Sequence, residues 1–174
     1  MRVIDHRRHT MRTKPGDHVS QPGVDLARRV GASMGPYDVV ITSTVARAFE
    51  TAIAMGFAVH EQWPALGLQS VEVLDETDWE GGCAEFMRAA RLGGPTARYM
   101  AGLAEAFQSL ARRVPEDGSA LVISHGGIIE AATVACLPDK DFSAWTVSSS
   151  YCEGVRLHVL EGHFVDAEPL PVAL

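Results

Sequence analysis

The sequence predicts a three-layer α/β/α sandwich built on a mainly parallel sheet, and three observations carry that expectation. A strand, a loop and a helix follow one another three times, starting at Arg2, Asp38 and Ala120, which is the alternation of a parallel sheet covered by helices. The strands Asp38–Ser43 and Ala120–Ser124 are continuous runs without alternating polarity, as expected where both faces are buried. The 174 residues are 47% apolar and 21% charged, which suits one compact core.

Arg2–Arg7 opens on apolar residues and turns polar, a short strand delivering charged groups to its C-terminal end. Ser20 is placed to cap the next helix, Pro22 is tolerated in its first turn, and Val24, Ala27 and Val30 recur at helical spacing before Gly31 and Gly35. After Asp38–Ser43, the alanine-rich Val45–Met55 sets Ala48, Ala52 and Met55 on one helical face and ends near Gly56. Residues 57–94 are irregular, with a strand expected at Val71–Leu74 and a helix at Cys83–Arg91, and read as a specificity insertion in a single domain spanning 1–174. Tyr99 or Met100, Leu103, Phe107 and Leu110 mark an amphipathic helix, and Ala120–Ser124 leads through Gly126-Gly127 into a helix at Ile128–Cys136. The β-prone runs Ala144–Ser148 and Gly154–Leu160 suggest a hairpin, and Glu168–Leu174, with two prolines, an irregular tail.

Fifteen basic residues against twenty-two acidic ones give a net charge of −7, so the bulk surface repels nucleic acid and anionic membranes. An anion site must then be a local cluster of cations. No apolar stretch approaches the roughly 20 residues of a membrane span, and Met1–Thr10 lacks the apolar core of a signal peptide, so a cytoplasmic location is expected. Cys83, Cys136 and Cys152 are odd in number and lack C-x-x-C spacing, which points to reduced, structural thiols. No two histidines stand at the i, i+4 spacing of a zinc motif, so neither a metal nor another cofactor is expected. His6, His18, His60, His158 and His163 read as solvated or capping residues, and Trp63, Trp79 and Trp145 as able to shape a substrate pocket, though core or rim packing is the commoner role.

Three predicted strand ends carry a reactive or anion-binding residue: Arg8-His9 after the first strand, Arg47 beyond the second, His125 after the late one. Ligands of open α/β sheets collect at those ends. Two guanidinium forks fit phosphate oxygens, and two imidazoles supply a nucleophile and a further donor. That inventory suits phosphoryl transfer without a metal.

Here the sequence resembles the histidine phosphatase, or phosphoglycerate mutase-like, superfamily. Arg8-His9-Thr10 stands where that family has Arg-His-Gly, and Ser124-His125-Gly126 holds its second histidine before glycine. Val19–Ala27 resembles the Leu-Ser/Thr-x-x-Gly helix start, and Ile41–Ala52 the Ser-Ser-Pro-x-x-Arg-x-x-x-Thr-Ala segment, in the family's order. The resemblance runs from about residue 3 to residue 132 and implies a phosphoglycerate mutase-like fold. It implies that His9 attacks phosphorus while Arg8, Arg47 and His125 hold the non-bridging oxygens.

The same resemblance implies a carboxylic acid that protonates the leaving group. Leu74–Gly81 is similar to the family's Leu-x-Glu-x-x-Phe/Tyr-Gly run, which makes Glu76 the candidate among Asp75, Glu76, Asp78 and Glu80. Thr10 departs from the motif glycine and adds a hydroxyl able to bind phosphate itself, and Arg12 matches the Arg-His-Gly-x-Arg pattern of the acid phosphatase branch. The expected activity is metal-independent hydrolysis of a phosphomonoester, on a small molecule or a protein side chain, through a phosphohistidine. A phosphoglycerate mutase-like phosphotransferase, disfavoured by the short chain, and a non-catalytic phosphoryl-binding module are the alternatives. The oligomeric state is left open.

Overall fold

The computed structural model describes residues 1–172 of the chain. The first strand, β1 (Arg2–Arg8), is followed by α1 (Gln21–Gly31), β2 (Val39–Ser43) and α2 (Ala46–Ala54). Residues 57–94 hold β3 (Glu61–Trp63), α3 (Val71–Glu76), α4 (Gly82–Ala90) and two short 3₁₀ turns, Pro64–Leu66 and Trp79–Gly81. Then come α5 (Pro95–Arg113), β4 (Ser119–Ser124), α6 (Ile128–Cys136), β5 (Gly154–Leu160) and β6 (His163–Leu170).

The sheet order is β3-β2-β4-β1-β5-β6. Strands β3, β2, β4 and β1 run parallel, and β5 alone opposes its neighbours β1 and β6, so the sheet is mainly parallel as expected. Alternation along the buried strands explains the three layers. Val40, Leu121 and Ile123 face α1 and α2, packing on Leu26, Ala27, Ala48, Ala52 and Met55. Ile41, Ala120 and Val122 face the other way, toward Phe86, Leu103, Phe107 and Ile129 of α4, α5 and α6. The α1 start follows the sequence reading: Ser20 caps it by accepting the Gly23 N–H, and Pro22 sits in the first turn, where no intrahelical N–H is lost.

The polar half of β1 has a different explanation from the one its sequence suggests. Asp5 is buried and accepts from both Arg156 Nε (2.7 Å) and Tyr37 Oη (2.6 Å), while Arg7 donates to the Cys152 carbonyl at 2.8 Å. His6, read as solvated or capping, is instead fully buried, pairs through Nε2 with Ser124 Oγ at 2.6 Å, and packs on Phe107. These are interior pairs that satisfy a central strand.

Three expected elements differ. Val71–Leu74 is helical, because a Val-Glu-Val-Leu run fits either period and only Val73 finds a buried site. Ala144–Ser148 forms no strand, since its backbone serves the start of α4: Trp145 O accepts the Ala84 N–H (3.0 Å), and Ser148 N–H donates to Glu80 O (3.3 Å). The hairpin is β5–β6 instead, turning at Glu161-Gly162, whose φ values of 50° and 83° are both positive as a type I′ turn requires. Strand β6 therefore takes Glu168–Leu170 from the expected tail, and positions 173 and 174 lie outside the described residues.

Candidate active site

Strand pairing assembles the site. In the β1–β4 register Arg8 faces Ser124, so the residues that leave the sheet next, His9 and His125, emerge side by side. The His9 N–H donates to the Ser124 carbonyl at 2.9 Å, and the two imidazole centroids stand 5.1 Å apart. Strand β2 borders β4 on its other side, so Ser43, its last residue, and Arg47, in the first turn of α2, reach the same place. The result is a cavity of about 420 Å³ that gathers Arg8, His9, Arg12, Lys14, Arg47 and His125. This is the local cation cluster that an anion site needs on a chain of net charge −7.

His9 is buried, with Nδ1 at 2.6 Å from the Thr10 carbonyl. A carbonyl only accepts, so Nδ1 carries the proton and Nε2 is the unprotonated nitrogen. Burial, against the raising influence of the Thr10 bond and reinforced by Arg47, Arg8 and Arg12, lowers the His9 pKa to about 4. The imidazole is thus neutral near pH 7, the form a nucleophile needs. Arg47 Nε donates to that Nε2 at 3.1 Å.

Arg47 is itself buried, which lowers its pKa, and its Nη1 donates to Asp17 at 2.7 Å. His125 pairs through Nε2 with Ser43 Oγ at 2.9 Å, and its buried Nδ1 has no partner among the described residues. Burial and the neighbouring His9, Arg47 and Arg8 push the His125 pKa down to about 3. The Arg8 guanidinium lies between two rings, 4.7 Å from the Tyr151 centroid and 5.3 Å from that of Trp79, while Nη1 donates to Ser149 O at 3.0 Å. Gly126 makes room for this stack, since a Cβ there would stand 2.6 Å from Trp79 Cζ3.

Two sequence candidates do not join the cavity. Thr10 is fully buried and turned toward α1 and α2: its hydroxyl donates to Gly23 O at 2.8 Å and its N–H to Thr51 Oγ1 at 3.0 Å, so it offers nothing to phosphate. Glu76, the expected proton donor, ends α3 pointing at α5, where its carboxylate accepts the Thr96 N–H at 2.8 Å. The Thr96 hydroxyl and N–H, with Arg98 and Arg88, hold its carboxyl below the usual range, the reverse of what an acid catalyst needs. Arg12 does line the cavity, while its Nη1 braces the neighbouring loop by donating to the Pro15 and Gly16 carbonyls.

Trp79, one of the aromatics able to shape a pocket, lines the cavity, and residues that the sequence reading passed over complete it: Lys14, Gln69 and Tyr151 join the lining, and Ser43 orients His125. Glu130 is buried behind it. One oxygen accepts the Gly127 N–H and the other the Ser149 N–H, both at 2.7 Å, which ties the start of α6 to the segment that holds Arg8. A larger groove of about 760 Å³ runs along α4, α5 and the end of α6, lined by Met87, Met100 and Val134, but carries none of the paired imidazoles. Among the described residues no three His, Cys, Asp or Glu side chains gather as a metal-binding group, and no helix is long and apolar enough to cross a membrane.

In fold the chain is a phosphoglycerate mutase-like α/β/α protein, the architecture of the histidine phosphatases. It is similar to phosphoserine phosphatase from Entamoeba histolytica in complex with 3-phosphoglyceric acid, at 15% identity over 99% of this chain and 98% of that one, with a TM-score of 0.71. Phosphoglycerate mutase from Bacillus anthracis str. Sterne matches at 14% identity over 97% and 92%, with a TM-score of 0.67. The protein histidine phosphatase SixA complexed with tungstate matches at 16% over 96% of each chain, with a TM-score of 0.57. Because the mutase is covered nearly end to end, chain length does not separate hydrolysis from transfer. No protein-family model matches the sequence, and neither does any curated protein.

Proposed function

We propose that this chain is a phosphatase that hydrolyses a phosphomonoester through a phosphohistidine at His9. The observation that carries the reading is the buried, neutral His9, whose Nδ1–H is fixed on the Thr10 carbonyl and whose Nε2 electron pair lies among Arg8, Arg47 and His125. In the first step Nε2 bonds to phosphorus as the bond to the leaving oxygen breaks, and that electron pair departs with the oxygen. Water then attacks phosphorus, the P–N bond returns its pair to Nε2, and the water proton passes to solvent. The transition state of each step spreads charge over equatorial oxygens, for which the two guanidinium groups and the open Nδ1 edge of His125 are fixed partners. These groups supply the stabilisation with no metal in the scheme.

Residues 57–94 contribute Leu68, Gln69, Leu74 and Trp79 to one wall, and substrate choice is assigned to that segment. The cavity suits a small phosphorylated molecule or a phosphorylated side chain. The test is mass spectrometry of protein quenched during turnover of p-nitrophenyl phosphate. A phosphoryl adduct on His9, lost together with turnover in His9→Ala, is the expected result. Phosphate or vanadate binding without adduct or turnover would replace this reading with a binding module.

A further inference from the structure

We infer, on the basis of the phosphatase reading above, that the substrate is an acyl or aryl phosphate, whose leaving oxygen departs without a proton from a protein carboxylic acid. Among the described residues, no aspartate or glutamate lines the His9 cavity. The acids of the neighbouring segment are accounted for elsewhere. Glu76 caps α5, Asp78 accepts the Glu80 N–H at 3.2 Å, Glu61 and Glu85 accept from Arg113 and Arg88, and Glu72, Asp75 and Glu80 are exposed. Asp17, the carboxylate that touches a cavity residue, accepts from Arg47 Nη1 and stands outside the lining with its side chain 64% exposed.

The wall position next to the second histidine's glycines is filled by an amide. Gln69 lines the cavity, and a Cβ placed on Gly127 would stand 3.0 Å from its Oε1, so its carboxamide packs on the backbone two residues beyond His125. Its Nε2 is buried and lies toward the Tyr99 hydroxyl. A carboxamide donates a hydrogen bond but cannot hand over a proton. General acid catalysis contributes about 10²–10⁴-fold, so a pocket without it discriminates by that order against alkoxide leaving groups. A carboxylate or phenolate departs as the stable anion: the P–O bond breaks, the electron pair stays on oxygen, and a phenolate takes its proton later from water. Gln69 is therefore a specificity-determining residue.

The experiment is a leaving-group series on the native protein: acetyl phosphate, substituted phenyl phosphates, phosphoserine and glycerol 3-phosphate. The expected result is a fall in kcat/KM of about tenfold per unit of leaving-group pKa across the phenyl series, with the alkyl phosphates below the line's upper end by about 10²-fold or more. Gln69→Glu then raises the alkyl-to-aryl ratio by at least about tenfold. A shallow slope with brisk alkyl turnover would overturn the inference and leave the phosphatase standing, because a donor such as Lys14 or Tyr151 would be at work. No turnover on any member would bring down the phosphatase reading itself. Should Gln69→Glu fail to fold, the slope measured on the native chain decides alone.

Discussion

Thr10 follows His9 directly, yet its side chain serves the fold. Its hydroxyl is shared with Gly23 and its N–H with Thr51, so Thr10→Val should lower stability by about 1–2 kcal/mol while leaving KM for p-nitrophenyl phosphate within about twofold. Parallel chemical denaturation and steady-state kinetics check this, and a large rise in KM would return Thr10 to the phosphate site. Glu76→Gln should lower Tm by weakening the α5 start and leave the leaving-group dependence as it is. His9 adds a pH signature: its folded pKa of about 4 predicts that kcat/KM, corrected for substrate ionisation, stays flat from about pH 8 to 5 and falls below about pH 4. A fall centred near the ordinary histidine value would mean that the nucleophile is not buried as described.

At this scale Arg8, His9, Arg47 and His125 were legible because reactive residue types stood at the ends of recognisable strands. Glu76 does not reach the cavity: four acids in six residues leave open which one faces inward, and the two-turn α3 turns Glu76 toward α5. Gln69 carried no signal, since an amide neither titrates nor completes a motif.

Helix α6 shows what one buried side chain does for an element. It starts at Gly127, whose φ of 83° breaks the chain out of β4, and its exposed-donor problem is solved by Glu130, which also holds the Ser149 N–H. Glu130→Ala strands the buried Gly127 N–H and the half-buried Ser149 N–H and should cost about 2–4 kcal/mol. Because the Ser149 carbonyl receives Arg8, the same change should also weaken vanadate binding, readable by calorimetry. Unchanged stability would mean that water replaces the carboxylate. The interior strands and α1, α2, α5 and α6 were readable from period and caps. Ala144–Ser148 was not, because β-prone composition does not say whether the backbone partner is a strand or, as here, the first turn of α4. The Glu161-Gly162 turn was present in the sequence as a Gly-containing pair between β-prone runs and was simply outweighed by the prolines downstream.

Across the whole molecule, three buried imidazoles set the response to acid. Folded His6 and His125 stay neutral down to about pH 3, and His9 down to about 4, chiefly through burial. The unfolded chain takes up protons near pH 6.5, so below that value it binds protons that the folded state refuses. Stability is therefore retained above about pH 6.5 and lost as pH falls toward 4, by about 1 kcal/mol per pH unit for each group. Urea midpoints at pH 7, 6 and 5 should decline steeply, and a flat series would rule the mechanism out.

The central position of β1 reaches beyond equilibrium. On a ribosome His9 is made more than a hundred residues before its partner strand β4, and β5 comes later still. Until then the leading segment has no neighbour to pair with, so the pocket around His9 forms only after β4 has been made. Nascent chains stalled before Ser119 would carry His9 with no pocket around it, vulnerable to proteases and inert toward phosphate esters.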